Sequence, residues 1–187
     1  MQCHGPIMLR ALTFGSLLLL LLTPPLARGQ PADSTDSVSD DCTGAAFRAF
    51  DFWVGQWIVR DSTGTQVGTS RISIVARGCG ILEEWTGTSG SRGTSLNYYD
   101  PATDTWHQDW VGDSGLLLHL AGGLKDGAMV LTGTRRRDGD TVRDRIRWRE
   151  LPGGRVRQEW RTSSDGGETW ERAFLGVYEP TDGQTNP

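Results

Sequence analysis

Residues 141–163, TVRDRIRWRELPGGRVRQEWRTS, alternate between two kinds of side chain on both sides of a Pro-Gly-Gly turn. Successive side chains of a β-strand point to opposite faces, so Val142, Ile146 and Trp148 share one face and the arginines between them share the other. A short glycine-containing link is typical of a tight turn between antiparallel neighbours. The stretch predicts a β-hairpin with its apolar face inward and seven arginines outward. These arginines are Arg143, Arg145, Arg147, Arg149, Arg155, Arg157 and Arg161.

The same two-residue period recurs along the chain, and links rich in Gly, Asp and Pro separate the segments. Because the links are short, consecutive strands are expected to pair antiparallel. Ahead of the strands, Ala45 to Trp53 favours a short helical turn, since Phe47 and Phe50 are three residues apart. The predicted strands are Gly55–Arg60, Gln66–Ala76, Cys79–Thr86, Thr94–Tyr99, Thr105–Val111, Leu116–Ala121, Ala128–Thr134, Thr141–Glu150, Arg155–Ser163 and Trp170–Tyr178.

This pattern predicts an all-β fold, an antiparallel up-and-down meander of about ten strands with a short N-terminal helical turn. No helical layer is available to cover a sheet of this width. Closure into a barrel is therefore favoured, because it removes the exposed edge strands. An open β-sandwich is the alternative.

Composition excludes several classes of protein. The chain has 187 residues, of which 36% are hydrophobic and 22% charged, which is typical of neither a disordered polar tract nor a membrane bundle. Its formal net charge of −4 disfavours a nucleic-acid partner. We expect the protein to be a monomer and to bind no nucleic acid.

The first 29 residues have the features of a signal peptide. Arg10 precedes an apolar run, Ala11 to Leu22, that is too short to span a bilayer as a helix. Ala27 and Gly29 supply the small residues expected before a cleavage site, which predicts removal of residues 1–29 and a mature protein that begins at Gln30. The predicted location is secreted or periplasmic, with no membrane span in the mature chain.

Two cysteines remain after the predicted cleavage. An even count in an oxidising compartment predicts a disulfide between Cys42 and Cys79, the alternative being two buried thiols that never meet. Residues 30–44 are polar and acidic and are expected to form a flexible leader. Residues 45–180 are predicted to form the β-barrel domain, and residues 181–187 a flexible tail.

Residues 50–57, FDFWVGQW, carry a resemblance to known proteins. Gly55-x-Trp57 at the start of the first strand resembles the G-x-W motif of lipocalins and other calycins. In those barrels the tryptophan closes one end, and a basic residue of the last strand packs on its indole. The resemblance implies that Arg172 contacts Trp57 by a cation–π interaction.

A longer pattern extends this resemblance over roughly residues 47–180. It adds Gly78-Cys79, residues 97–100 (NYYD), residues 106–111 (WHQDWV) and residues 164–170 (SDGGETW). The whole is similar to an exported, mostly bacterial family that is known only as a domain of unknown function. The resemblance implies a lipocalin-like barrel and brings no settled activity.

The predicted inner faces mix large aromatic residues with polar ones. A core made only for packing would rarely bury so many polar groups, whereas a cavity that holds a ligand tolerates them. We therefore expect an interior site for a small apolar or aromatic ligand. The candidate ligand-binding residues are Trp57, Glu83, Trp85, Asn97, Tyr99, Trp106, Gln108, Trp110, Gln158, Trp160 and Arg172.

Two other interpretations remain open at the level of sequence. The first is a structural or interaction module with a filled core, which docks through the arginine-rich outer face. The second is a small calycin-type enzyme that uses Glu83 or Glu84 with Tyr99 and Arg172. No catalytic residue, metal site or cofactor is assigned, because His107 and His119 show no ligand spacing.

Overall fold

The computed structural model describes residues 42–181. The predicted signal peptide, nearly all of the predicted leader and residues 182–187 of the predicted tail lie outside this range. Within it the chain forms a closed antiparallel barrel. The strands are β1 (Gly55–Arg60), β2 (Gln66–Val75), β3 (Gly80–Gly87), β4 (Arg92–Asp100), β5 (Thr105–Gly112), β6 (Leu117–Lys125), β7 (Ala128–Arg137), β8 (Asp140–Leu151), β9 (Arg155–Ser163) and β10 (Glu171–Pro180).

Every strand pairs with its neighbours in chain order, and β1 pairs with β10 to close the barrel. In the closing pair, Trp57 lies opposite Pro180 and Arg60 opposite Val177. The predicted all-β meander is confirmed, and the open sandwich is excluded by this closure. The predicted strand ends differ from the observed ones by no more than four residues, with the largest difference at the end of β6. There the ladder continues to Lys125 opposite Ala128, because Asp126-Gly127 makes the turn.

The N-terminal segment closes one end of the barrel. It forms the helix α1 (Ala45–Arg48) and a 3-10 turn at Asp51–Trp53, in place of one continuous helical turn. The Phe50 ring is fully buried and packs against Trp53, Trp106 and Trp148, at centroid distances of 5.1, 5.6 and 5.2 Å. We call this end of the barrel, with Phe50 and these three tryptophans, the closed end.

A disulfide fixes the start of this segment, as predicted. Cys42 and Cys79 are bonded, with their Cα atoms 4.9 Å apart, and Cys79 directly follows the short turn Ala76–Gly78 between β2 and β3. Close by, the Arg48 guanidinium donates a hydrogen bond to the Gly78 carbonyl. The closed end is thus held by a covalent link in addition to aromatic packing.

Candidate ligand-binding cavity

The inward faces of six strands enclose a cavity in the half of the barrel away from the closed end. Its volume is about 210 Å³. Pockets for drug-sized ligands measure roughly 300–1,000 Å³, so this one suits a smaller molecule. The cavity is lined by Glu83, Trp85, Gln108, Trp110, Leu116, Leu118, Ile146, Gln158, Trp160, Ala173, Phe174 and Tyr178.

Glycines on the inner face set the positions of two wall tryptophans. The Trp110 indole lies directly over Gly93, where a Cβ atom would be 2.1 Å from the ring. The Trp85 indole lies over Gly68 in the same way, at 2.5 Å. No side chain larger than hydrogen fits beneath either ring. The Trp85 ring also meets Phe174 edge to face, with centroids 6.0 Å apart, which completes one wall of the cavity.

A buried ion pair holds the third wall tryptophan. The Trp160 indole N–H donates to Asp144 Oδ1 at 2.9 Å, and Arg135 Nε donates to Asp144 Oδ2 at 3.0 Å. Asp144 is buried and Arg135 nearly so, so each charge has its partner inside the barrel. Sequence reasoning missed Arg135, because the strand was expected to end at Thr134. The observed β7 continues past that residue and turns this arginine inward.

The floor of the cavity is a chain of hydrogen bonds that ends on Glu83. The Gln108 amide donates to Asn97 Oδ1 at 2.9 Å, and the Asn97 amide donates to Ser95 Oγ at 3.0 Å. The Ser95 hydroxyl donates to Glu83 Oε2 at 3.0 Å, and the Ser70 hydroxyl donates to Glu83 Oε1 at 3.1 Å. All five side chains are buried. The donors in this network therefore point toward one carboxyl group.

Burial changes the acidity of the two titratable groups on the floor. Removal from water raises the pKa of Glu83 to about 7, and the hydrogen bonds from Ser95 and Ser70, together with the nearby Tyr178 hydroxyl, offset only part of that rise. Burial raises the pKa of Tyr178 well above its usual range, and the nearby Glu83 adds to this effect. The neutral Tyr178 hydroxyl donates to Gln158 Oε1. Near neutral pH, Glu83 can exchange a proton while Tyr178 keeps its own.

The structure brings together six of the predicted ligand-binding residues. Around the cavity are Glu83, Trp85, Gln108, Trp110, Gln158 and Trp160. Asn97 lies behind them, one hydrogen bond from Gln108. The remaining residues on the inner faces are not part of the cavity. Trp106 belongs to the closed end and donates to the Ala46 carbonyl, and Trp57 and Tyr99 lie beside that end, where Trp57 donates to the Trp53 carbonyl and Tyr99 packs on Phe47.

Arg172 lies elsewhere than the resemblance implied. The register of β10 against β9 shifts between Arg172, which faces Arg161, and Phe174, which faces Trp160. The extra residue at this β-bulge changes the face of the sheet to which residues before the bulge point. Arg172 therefore lies on the outer face, with its Nε atom 3.6 Å from Glu159 Oε1. The expected contact between Arg172 and Trp57 is wrong. Trp57 instead donates to the Trp53 carbonyl at 3.0 Å and meets Tyr178 edge to face.

Several lining residues were not predicted as site residues. Leu118 and Ile146 belong to the inward set of their strands, so their parity alone could have identified them. Phe174 and Tyr178 also face inward, and they reach the cavity because β10 closes the barrel beside β1 and β9. No pattern in the sequence specifies which strands meet across the interior.

The residues suggested for an enzyme do not come together. Glu83 lies inside, whereas its neighbour Glu84 is exposed and pairs with Arg71 at 3.6 Å on the outer face. Tyr99 donates to Asp104 Oδ1 at 2.6 Å beside the closed end, and Arg172 is outside. The proposed set of carboxylate, tyrosine and arginine therefore does not form a common site.

Both histidines of the described range, His107 and His119, also lie outside the cavity. The His107 ring stacks on Tyr98 at 5.1 Å on the outer face, and exposed His119 is 2.6 Å from the Asp109 carboxylate. Within residues 42–181, no group of three or more His, Cys, Asp or Glu side chains is arranged to hold a metal ion.

The outer arginine face is largely engaged with the protein itself. Arg143, Arg149 and Arg155 donate to backbone carbonyls. Glu159 pairs with Arg157 and Arg161, and the Arg145 guanidinium lies 4.1 Å from the centre of the Trp170 ring. Six of the seven predicted arginines thus have partners, and the groove beside Arg147, of about 500 Å³, runs along this surface. These contacts favour a solvated, internally paired face over a docking site.

Comparison with known proteins assigns neither a family nor a function to this chain. No protein-family model matches the chain, and no curated protein is significantly similar to it. In the part of the chain that the structure describes, no helix is long and apolar enough to cross a membrane. The case for a function therefore rests on the geometry of the cavity.

Proposed function

We propose that this protein is an exported, lipocalin-like barrel that binds a small apolar or aromatic ligand in its interior. One observation carries the proposal: a cavity of about 210 Å³ is lined by three indoles, a phenyl ring and a few polar side chains, among them Glu83, Gln108 and Gln158. A few placed polar groups in an otherwise apolar concave site are typical of small-molecule binding.

The dimensions of the cavity limit the ligand. A water molecule occupies about 30 Å³ of liquid, so the cavity of about 210 Å³ has the volume of about seven waters. A molecule with one ring or a short chain is the right size. The flat faces of Trp85, Trp110 and Trp160 suit a planar or extended hydrocarbon part. The amides of Gln108 and Gln158 are placed at the floor to recognise a polar end.

Export is the second part of the proposal. The predicted signal peptide at residues 1–29 supports it, and so does the disulfide between Cys42 and Cys79, because disulfides persist mainly in oxidising compartments. The resemblance to the exported domain-of-unknown-function family supports the same location. The role proposed is therefore binding or carriage of a small molecule outside the cytoplasm.

The proposal can be tested by calorimetric titration with phenol and indole. Saturable binding to the wild type is expected. Leu118→Trp should abolish it, because Leu118 is buried and lines the cavity, which the larger ring would fill. Leu117→Trp is the matched control, since Leu117 is exposed on the outer face of the same strand. Absence of binding to the wild type, or equal binding to both variants, would overturn the proposal.

A further inference from the structure

Glu83 is the only residue with a formal charge among the twelve that line the cavity in the described structure. Its side chain is 3% exposed. Ser70 on β2 and Ser95 on β4 donate hydrogen bonds to it, and the Tyr178 hydroxyl of β10 lies close to it while donating to Gln158 Oε1. Of these three, only Tyr178 titrates, and it stays neutral. Among the described residues, Glu83 therefore faces two serine donors and a neutral tyrosine, and no cation.

Arg135, a cationic side chain that points into the barrel near the cavity, already has a partner. Arg135 is paired with Asp144 at 3.0 Å, and Asp144 also accepts from Trp160. A buried carboxylate without a counter-ion is costly, and protonation is one way to avoid that cost. A cation brought by a ligand is another. Each carboxylate oxygen has two lone-pair sites, so the two serine bonds leave acceptor capacity on Glu83.

The walls favour the same kind of ligand. Trp85, Trp110 and Trp160 surround the space above Glu83. The face of an indole attracts a cation through its negative electrostatic potential, and tryptophan is the strongest of the aromatic side chains in this respect. Aromatic walls with a carboxylate at the bottom are complementary to an organic ammonium and repel a carboxylic acid of the same size.

Resting on the proposed function, we infer that the ligand is a small organic cation, an ammonium group attached to a single ring or a short hydrocarbon chain. Its charged nitrogen lies at Glu83 and its hydrocarbon part lies among the three indoles. The inference narrows the proposed apolar or aromatic ligand to amines, and it gives Glu83 a role in binding rather than in packing.

The test compares benzylamine with benzyl alcohol and benzoate. Benzylamine and benzyl alcohol have the same number of non-hydrogen atoms and differ in charge, whereas benzoate carries the opposite charge. Calorimetry on the full-length protein at about pH 8 should give an affinity for benzylamine at least about tenfold above that for benzyl alcohol, with benzoate weakest. At about pH 5, where Glu83 is protonated and benzylamine is still a cation, this preference should disappear.

Two further measurements test whether Glu83 causes the preference for benzylamine. Glu83→Gln should bind benzylamine and benzyl alcohol with similar affinity, whereas Glu84→Gln, which changes the exposed neighbouring carboxylate, should retain the preference for benzylamine. In the wild type near pH 7, benzylamine binding should release protons to the buffer, because the free carboxyl is partly protonated and the bound one is ionised. This release is measured without a variant, so it holds even if Glu83→Gln does not fold.

The outcomes distinguish failure of the cation inference from failure of the proposed ligand-binding function. Equal affinity for the amine and the alcohol, or tightest binding of benzoate, would overturn the cation inference and leave the ligand cavity intact. Failure of all three probes, together with phenol and indole, would overturn the proposed function as well. Preference for the amine without proton release, or one that persists in Glu83→Gln, would contradict the role given to Glu83.

Discussion

Glu83 and Glu84 are consecutive residues with opposite environments. Pleating of β3 points Glu83 into the barrel, onto Ser70 and Ser95, and points Glu84 out to Arg71. The sequence alone left both as candidates, because their parity depends on where the strand begins. The register of β3 with β2 and β4 decides between them.

The raised pKa of Glu83 makes stability depend on pH. Its folded value is about 7, against 4.5 for the exposed group, so the folded protein binds the proton more tightly than the unfolded chain. The protonated Glu83 carboxyl makes its full contribution to the unfolding free energy below about pH 4.5, and this contribution is lost as the pH rises through about 7. From about pH 4 to about pH 8, the wild type should lose about 3 kcal/mol of unfolding free energy relative to Glu83→Gln.

Urea unfolding of both proteins across this pH range measures the difference. Glu84→Gln is the control and should follow the wild-type profile, because the Glu84 carboxylate is exposed on the outer face. Parallel profiles for the wild type and Glu83→Gln would contradict the buried, proton-binding state of Glu83.

Trp57 and Arg172 should contribute very differently to stability. Trp57 is buried at the closed end, so Trp57→Leu is expected to lower the unfolding free energy by more than about 2 kcal/mol. Arg172 is half exposed beside Glu159, so Arg172→Ala should change it by less than about 1 kcal/mol. Denaturant unfolding compares the two. A large loss for Arg172→Ala would favour the cation–π contact implied by the lipocalin resemblance over the observed position.

At the scale of the strands, alternation and turn chemistry are local properties, and they predicted all ten strands. The β-bulge in β10 is not visible in the alternation, because one extra residue between Arg172 and Phe174 reverses the inward set. The convergence of Trp85, Gln108 and Trp160 on one cavity depends on barrel closure, which no single strand encodes. The mixture of aromatic and polar residues on the inner faces nevertheless identified six of the twelve lining residues.

The glycines beneath the indoles give a prediction at this scale. Gly93→Ala should displace the Trp110 ring, because a Cβ atom would lie 2.1 Å from it, and should weaken phenol binding several-fold with a changed tryptophan emission spectrum. Gly123→Ala is the matched control in β6, where nothing lies within 4 Å of the added atom. Equal effects of the two substitutions would contradict the packing of Trp110 on Gly93.

The disulfide gives a second prediction at the scale of the elements. Cys42 and Cys79 are separated by 37 positions in the sequence, and in the chain-entropy model this link stabilises the fold by roughly 3–4 kcal/mol. The double variant Cys42→Ser/Cys79→Ser should lose about that much unfolding free energy in urea. The wild type treated with a reductant should lose a similar amount. No difference between oxidised and reduced protein would show that the closed end does not need the link.

At the scale of the whole molecule, the two ends of the barrel have different roles. The closed end is filled by Phe50, Trp53 and their aromatic neighbours and tied by the disulfide, which gives a rigid base. The other half keeps a space that its side chains do not fill. The sequence indicated a mixed aromatic and polar interior, and the division into a packed half and a cavity follows from how α1 and the 3-10 turn enter one end.

Native mass spectrometry of the protein recovered after export from its own cells shows whether the barrel carries a small molecule. We expect the mass of a monomer of residues 30–187, less two hydrogens for the disulfide, with an additional small mass that is lost on denaturation. The added mass should be missing from Leu118→Trp and present in Leu117→Trp. A bare mass in every sample, including wild type incubated with phenol or benzylamine, would contradict an interior binding site.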